Sequence, residues 1–181
     1  MLSDEDRRAL LVIARDAVTS AAERRRYALP QDLSPALRAP GAAFVTCKTR
    51  DGDLRGCIGQ VAAVAPLADT VAKMAEAASQ RDPRFAPVRR DELQGLRLEV
   101  SVMTDPVPIP PDEVTVGVHG LVVERGPARG LLLPQVPVEH HWDRETFLAH
   151  TCLKAGLRPD AWREPGTVLL GFTAEVFGEA D

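Results

Sequence analysis

The chain has 181 residues, of which 45% are hydrophobic and 27% are charged, and its formal net charge at pH 7 is −4. This length is enough for one well-filled hydrophobic core, or for one core with a small additional lobe. The acidic balance disfavours a nucleic-acid-binding protein, because such proteins usually present a basic face. The run Arg24-Arg25-Arg26 is the exception, and we interpret it as bases that complement the dipole at a helix C-terminus.

The three cysteines are Cys47, Cys57 and Cys152, and no two of them form a CxxC pair. This sparse, odd-numbered set argues against a disulfide framework and against a structural zinc site, so we expect no metal. The N-terminal residues lack the basic and apolar regions of a signal peptide, and no stretch approaches the roughly 18 apolar residues of a membrane span. We therefore expect a soluble, cytoplasmic protein.

The first predicted element is a helix that begins after the N-cap residue Ser3 and ends near Tyr27. Its apolar residues recur at helical spacing on one face. The following stretch, Leu29 to Pro40, contains three prolines and is expected to be an extended connection. A strand is then predicted from Ala43 to Lys48, with Cys47 in the core.

The dipeptide Asp51-Gly52 predicts a hairpin that leads into a second strand, Leu54 to Gly59. Pro66 precedes an amphipathic helix, which Asp82-Pro83 ends sharply. The buried stripe of this helix is predicted to consist of Leu67, Val71, Met74 and Ala78.

The second half of the chain predicts further strands. Alternating apolar residues indicate a strand from Leu96 to Thr104 with one face in water, which is typical of an antiparallel sheet. Asp105 to Asp112 is expected to be a linker or an edge crossing. A strand beginning with Gly117-Val118-His119-Gly120 turns at Gly126-Pro127 into a second hairpin, and Val168 to Phe177 is predicted to be the last strand.

Between the hairpin and the last strand, Asp143 caps a predicted helix that is closed by Lys154 and Gly156. Strands therefore come in groups, with helices between the groups. This order predicts an α+β fold with a mainly antiparallel sheet flanked by helices, and excludes a doubly wound fold.

The hexapeptide Leu54-Arg55-Gly56-Cys57-Ile58-Gly59 is the best candidate for a functional site. On a strand, Arg55 and Cys57 share a face, and a nearby guanidinium raises the thiolate fraction of a cysteine. Gly56 and Gly59 leave the backbone bare, so that a ligand or another chain segment can approach closely. The alternative interpretation is that Cys57 is a small buried residue with glycines for packing.

Two further residues have both a functional and a structural interpretation. In Asp82-Pro83-Arg84-Phe85, the guanidinium of Arg84 can lie over a site, although a structural corner is the more common outcome of such a turn. His119 lies among apolar residues, where a histidine is more often a core residue with its hydrogen bonds satisfied than a general acid or base.

Several stretches, in order, resemble the AMMECR domain family, also called AmmeMemoRadiSam system protein A. The resemblance runs from about Phe44 to Phe177, and the hexapeptide is its most specific signature. The matching stretches are Leu54-Arg55-Gly56-Cys57-Ile58-Gly59, Arg81-Asp82-Pro83-Arg84-Phe85, Glu99-Val100-Ser101-Val102, Gly117-Val118-His119-Gly120-Leu121 and Leu133-Pro134-Gln135-Val136.

The resemblance implies a fold more than an activity. It implies that residues 1–181 form a single AMMECR-like domain with two α+β lobes, the smaller with its own short sheet, and a cleft beside the hexapeptide. Genes of this family often lie beside those of a Memo-like protein and a radical SAM enzyme, which implies a shared pathway by association.

Three functions remain open. In the first, the chain is an enzyme or enzyme component with Cys57 as nucleophile and His119 as general acid or base, while Arg55 stabilises the thiolate or binds an anion. In the second, it is a non-catalytic module in which Arg55, Arg84, Gly56 and Gly59 bind a small ligand or a Memo-like or radical SAM partner. A nucleic-acid-associated regulator is the third, disfavoured by the acidic charge.

Overall fold

A computed structural model describes residues 2–179 of the chain. It confirms an α+β fold that contains two antiparallel four-stranded sheets. In chain order the helices and strands are α1 (Asp4–Ala22), α2 (Pro35–Arg38), β1 (Ala42–Thr49), β2 (Leu54–Gln60), α3 (Leu67–Gln80), β3 (Leu96–Met103), β4 (Val107–Pro108), β5 (Gly120–Arg125), β6 (Ala128–Leu132), α4 (Gln135–Glu139), α5 (Arg144–Lys154), β7 (Val168–Phe172) and β8 (Ala174–Gly178).

The chain divides into two compact units. Among the described residues, the first unit comprises 2–103 and 175–179, and the second comprises 104–174. No helix within residues 2–179 is both long enough and apolar enough to cross a membrane.

The sheet of the first unit has the strand order β2-β1-β3-β8, so that β2 lies at one edge. The β1–β2 hairpin turns where the sequence predicts it, and Gly52 takes a positive φ of 91° there. The core of this unit is built from α1, α3, β1 and β3, and the predicted stripe of α3 is buried. The largest fully buried side chains of the first unit are Leu10, Ile13, Val18, Leu37, Val45, Val71, Leu98 and Val100.

Helix α1 begins as predicted but ends earlier than predicted. The Ser3 hydroxyl accepts the amide hydrogen of Asp6, while the Asp6 carboxylate accepts that of Ser3, which completes a capping box. The predicted end near Tyr27 is wrong, because a Schellman motif closes the helix after Ala22. In this motif Arg24 adopts a left-handed conformation (φ 57°) and the Arg25 amide donates to the Ser20 carbonyl.

The sheet of the second unit has the order β4-β7-β5-β6, and α5 packs on it. The Asp143 carboxylate accepts the amide hydrogen of Thr146, which confirms the predicted cap of α5. The buried core of this unit consists of Val114, Leu121, Val123, Phe147, Leu148, Cys152, Ala161 and Leu169.

The predicted single strand from Val168 to Phe177 is wrong. It is two strands, of which β7 pairs with β5 in the second sheet and β8 lies beside β3 in the first. Between them, the amide and carbonyl of Thr173 bond to Thr104 instead of continuing a ladder. Alternation of apolar residues continues through the break because it specifies the buried face of a strand and not its partner.

Smaller differences from the expected elements lie in the connections. The stretch from Leu29 to Pro40 contains the short helix α2, whose first turn is capped by the Ser34 hydroxyl. Within Asp105 to Asp112, the two residues of β4 form an edge strand, which agrees with the expected edge crossing. Strand β5 begins at Gly120, so the prediction that Gly117 to His119 are part of it is wrong.

Candidate functional site

Cys57 lies on β2, the edge strand of the first sheet, directly opposite Thr46 on β1. The Thr46 hydroxyl donates a hydrogen bond to the Cys57 sulfur over 3.3 Å. Cys57 is partly exposed, whereas Cys47 and Cys152 are buried. Burial raises the pKa of Cys47 to about 12, which agrees with its predicted place in the core. Cys57 is therefore the most exposed of the three cysteines.

A buried carboxylate holds the backbone of Cys57 at the outer edge of β2. Asp82 Oδ2 accepts the Cys57 amide hydrogen over 2.8 Å, although an edge strand normally leaves such a donor to solvent. The Arg84 guanidinium donates to both oxygens of Asp82, through Nε (3.0 Å) and Nη2 (2.8 Å), and Nη2 also contacts the Cys57 carbonyl at 3.4 Å. These contacts fix both polar groups of the Cys57 peptide.

The charge of Asp82 is stabilised by its neighbours. Hydrogen bonds from the Arg84 guanidinium are the largest cause that holds the pKa of Asp82 well below its usual range. Burial of the carboxylate opposes this effect, and the amide hydrogens of Cys57 and Arg84 reinforce it. The Arg84 amide bond to Oδ1 forms an Asx turn, so the structural corner considered for this segment is present.

Arg55 is occupied by contacts within the first unit. Its guanidinium binds both oxygens of Glu92, at 2.9 Å and 3.2 Å, and donates to the Ala86 carbonyl at 2.8 Å. Burial alone would raise the pKa of Glu92, but the hydrogen bond from Arg55 helps to lower it below its usual value. Arg55 thus holds the segment from Ala86 to Glu92 against β2. Its predicted binding of a substrate stays a prediction.

A β-bulge lies at the same position. Cys47 faces Gly56 and Lys48 faces Leu54, which leaves Arg55 as the extra residue of the hairpin. A bulge interrupts regular alternation. The prediction that Arg55 and Cys57 share a face assumes regular alternation. Because the bulge interrupts that alternation, the spacing of the two residues in the sequence does not establish that they share a face.

Both glycines of the hexapeptide allow close approach by other parts of the chain. A Cβ atom at Gly56 would lie 2.1 Å from the Ala78 carbonyl oxygen of α3, and one at Gly59 would lie 2.1 Å from the Phe44 ring. The bare backbone is expected to admit either a ligand or another chain segment, and the structure shows another chain segment at both glycines. A role of Gly56 and Gly59 in ligand binding stays a prediction.

His119 belongs to the second unit, whereas Cys57 belongs to the first. It precedes β5 in a turn that its own ring helps to close, since Nδ1 accepts the Thr115 amide hydrogen over 3.0 Å. The His119 amide in turn donates to the Thr115 carbonyl, also over 3.0 Å. His119 is partly exposed and has a structural role in this turn. Its catalytic role stays a prediction.

Thr46, Asp82 and Glu92 are site residues that the sequence motifs do not identify as such. The predicted hairpin carries a signal for Thr46, since pairing across Asp51-Gly52 brings it near Cys57. No local sequence pattern predicts the contacts of Asp82 and Glu92 with β2, because both are tertiary contacts. Among residues 2–179, no group of three or more histidine, cysteine, aspartate or glutamate side chains is arranged to hold a metal ion.

Comparison with known proteins places this site in a family. The sequence model of AMMECR1 matches residues 11–177. The chain belongs to the AMMECR1 family. A relative from Methanothermobacter thermautotrophicus is 45% identical over 186 residues, covering 98% of this chain and 96% of the relative. One from Thermococcus gammatolerans is 46% identical over 189 residues, covering 98% and 92%.

A solved structure of the AMMECR1 fold is similar to this chain. The crystal structure of uncharacterized protein PH0010 from Pyrococcus horikoshii is 41% identical and has a TM-score of 0.78. The match covers 98% of this chain and 93% of that chain. These comparisons confirm the resemblance on which the family was predicted, and with it the α+β fold.

Gly56→Ala should destabilise the AMMECR1 chain because the added methyl group meets the rigid backbone of α3. We expect the free energy of unfolding, measured by urea denaturation, to fall by about 1–3 kcal/mol or more. Gly95→Ala is the matched control, since nothing lies within 4 Å of its Cβ position. Equal stability of both variants would contradict the close packing of β2 on α3.

Asp82→Asn should lower stability at neutral pH by about 1–3 kcal/mol, because it removes a charged acceptor from a buried network. The stabilisation that the Asp82 charge gives the folded chain is complete above about pH 4, which is the pKa of aspartate in the unfolded chain. It is lost as pH falls toward the lower pKa of Asp82 in the folded chain. The stability of Asp82→Asn should therefore fall less steeply below pH 4. Thermal unfolding at several pH values tests this, with the exposed Asp53→Asn as control.

Proposed function

We propose that this AMMECR1-family chain is an enzyme, or a component of one, that uses the Cys57 thiol as its nucleophile. The observation that carries the proposal is that Cys57 is partly exposed and that its sulfur accepts a hydrogen bond from Thr46. We place the reaction in a pathway shared with Memo-like and radical SAM proteins, on the basis of family association.

The contacts around Cys57 suit a reacting thiol. The nucleophile of thiol chemistry is the thiolate, and the Thr46 hydroxyl places a hydrogen-bond donor beside the sulfur of Cys57. Asp82 and Arg84 fix the backbone of Cys57, so the sulfur projects from a rigid position. These features support nucleophilic attack on an electrophilic substrate.

Arg84 is the best candidate for binding an anionic group of that substrate. Its side chain is 55% exposed, while that of Arg55 is only 16% exposed and is fully engaged with Glu92. The Asp82 contact orients the guanidinium and leaves part of it open to solvent. In this proposal Arg55 orders the segment beside β2, and Arg84 is the anion-binding residue.

We assign the general acid or base to His119. Because Nδ1 accepts the Thr115 amide hydrogen, the neutral ring carries its proton on Nε2. A histidine held in one tautomer and partly exposed is suited to proton transfer through its other nitrogen. This assignment extends the prediction made from the Gly-flanked segment around His119.

The alternative is a module that binds a small ligand or a protein partner without catalysis. The observation that favours it is the packing role of Arg55, Gly56 and Gly59, which accounts for half of the hexapeptide without any reaction. In this function Cys57 is only a small residue, and Cys57→Ser leaves binding unchanged.

Alkylation of the thiols separates these two functions. Under the nucleophile proposal, iodoacetamide at neutral pH should modify Cys57 faster in the folded chain than in the chain unfolded in urea. Cys47 and Cys152 should react only after unfolding, because both are buried. Peptide mass spectrometry resolves the three sites.

Thr46→Val should slow the modification of Cys57 several-fold, because it removes the hydroxyl donor, while Thr46→Ser should preserve the rate. A folded-state rate at or below the unfolded rate, unchanged by Thr46→Val, would favour the binding module over the nucleophile.

Loss of turnover should follow replacement of either reacting group. In a metabolite extract analysed by mass spectrometry, compounds consumed by the native chain should persist with Cys57→Ser. His119→Asn should slow their consumption by about 10²–10⁴-fold. Asn keeps an acceptor for the Thr115 amide, so the thermal stability of this variant should be preserved. Full turnover by Cys57→Ser would refute the proposal.

A further inference from the structure

We propose that the first unit contains a second binding site, which takes a small organic phosphate ester with an apolar or aromatic body. The site is a cavity of about 680 Å³ lined by the C-terminal part of α1, the segment that follows α1, and α3. This volume falls within the roughly 300–1,000 Å³ typical of small-molecule sites. None of the residues that line it contacts Cys57 in the network described above.

The cavity carries an excess of positive charge in a chain that is acidic overall. Arg24, Arg25, Arg26 and Lys73 line it, together with the carboxylates Asp69 and Glu76. Arg25 binds Glu23, and Glu76 binds Arg81, so these two charges are already compensated. A phosphate ester carries up to two negative charges, which cations can neutralise.

The remaining cations have no ion pair within residues 2–179. Arg24, Arg26 and Lys73 lie beyond ion-pair distance of any described carboxylate, and Asp69 is likewise without a described cationic partner. Three free cations against one free carboxylate leave an excess of two positive charges. The interpretation of Arg24-Arg25-Arg26 as helix-dipole partners does not account for them, because the last turn of α1 contains no basic residue.

A buried phenol on the same wall has no hydrogen-bond partner. Tyr27 lines the cavity, and its hydroxyl is closed to solvent and unpaired among the described residues. Burial raises the pKa of Tyr27, so the phenol stays a neutral donor. Buried polar groups without a partner are rare, and we assign an oxygen of the ligand as the acceptor. The contact requires the phenol to turn toward the cavity that it already lines.

Apolar side chains form the rest of the lining. Ala17, Ala21, Leu29 and Ala72 contribute small or aliphatic surfaces beside the Tyr27 ring. Inorganic phosphate alone would fill only a small part of the volume. The combination of an apolar wall, a neutral donor and an excess of two positive charges therefore suits an organic monophosphate.

The conformation of Arg24 supports the placement of its charge at this site. Arg24 occupies the left-handed position of the Schellman motif, where glycine is usual, and a non-glycine residue there is strained. The chain turns away from α1 at this position, and Arg24, Arg25 and Arg26 all line the cavity.

Phenyl phosphate is the probe that matches this lining, with inorganic phosphate and phenol as partial probes. In isothermal titration at low ionic strength, phenyl phosphate should bind saturably and more tightly than either partial probe. Arg26→Gln combined with Lys73→Gln should weaken binding at least tenfold. Arg8→Gln combined with Arg50→Gln removes the same charge from exposed positions outside the cavity and should leave binding unchanged.

Tyr27→Phe provides the second measurement. It should weaken phenyl phosphate binding about tenfold without lowering the melting temperature of the chain alone, because the hydroxyl has no partner to lose. If the two double variants weakened binding equally, the binding would be explained by non-specific charge attraction, and the proposal would be overturned. Absence of saturable binding would also overturn it, as would tighter binding of a single-stranded oligonucleotide than of phenyl phosphate through the same residues.

Discussion

The buried carboxylate of Asp82 is the interaction on which the candidate site depends. An edge strand leaves its outer amides unpaired, and Asp82 supplies the acceptor for the Cys57 amide on the side where residues 2–179 add no further strand. Arg84 compensates the charge of that carboxylate, which would otherwise be costly to bury. The turn after α3 therefore closes the edge of the sheet at the partly exposed Cys57.

The same edge is fixed from two other directions. Gly56 lets α3 approach β2 at a distance that no side chain permits, and the bidentate pair of Arg55 with Glu92 anchors the segment that leads to β3. Each contact joins β2 to a different part of the first unit. Together they show that most residues of the hexapeptide satisfy a packing or charge constraint.

Local pattern predicted much of this fold and less of the site. The cap of α1, the stripe of α3 and the hairpin at Asp51-Gly52 follow from contacts within a few residues, and all three are present. The break between β7 and β8 has no such signal, because apolar alternation runs through Thr173 whichever sheet receives the strand. Asp82 and Glu92 likewise act on residues more than twenty positions away, where sequence periodicity carries no information.

Packing accounts for the residues of the hexapeptide unequally, and this difference bears on function. Gly56, Gly59 and Arg55 all have partners within the first unit that require their residue types, and Ile58 packs against its core. Cys57 is different, because its backbone is strongly held while, among residues 2–179, the Thr46 hydroxyl is the hydrogen-bond partner of its side chain. A serine or alanine would satisfy the same backbone bonds. The structure therefore constrains where the thiol stands through backbone bonds that do not themselves require a thiol.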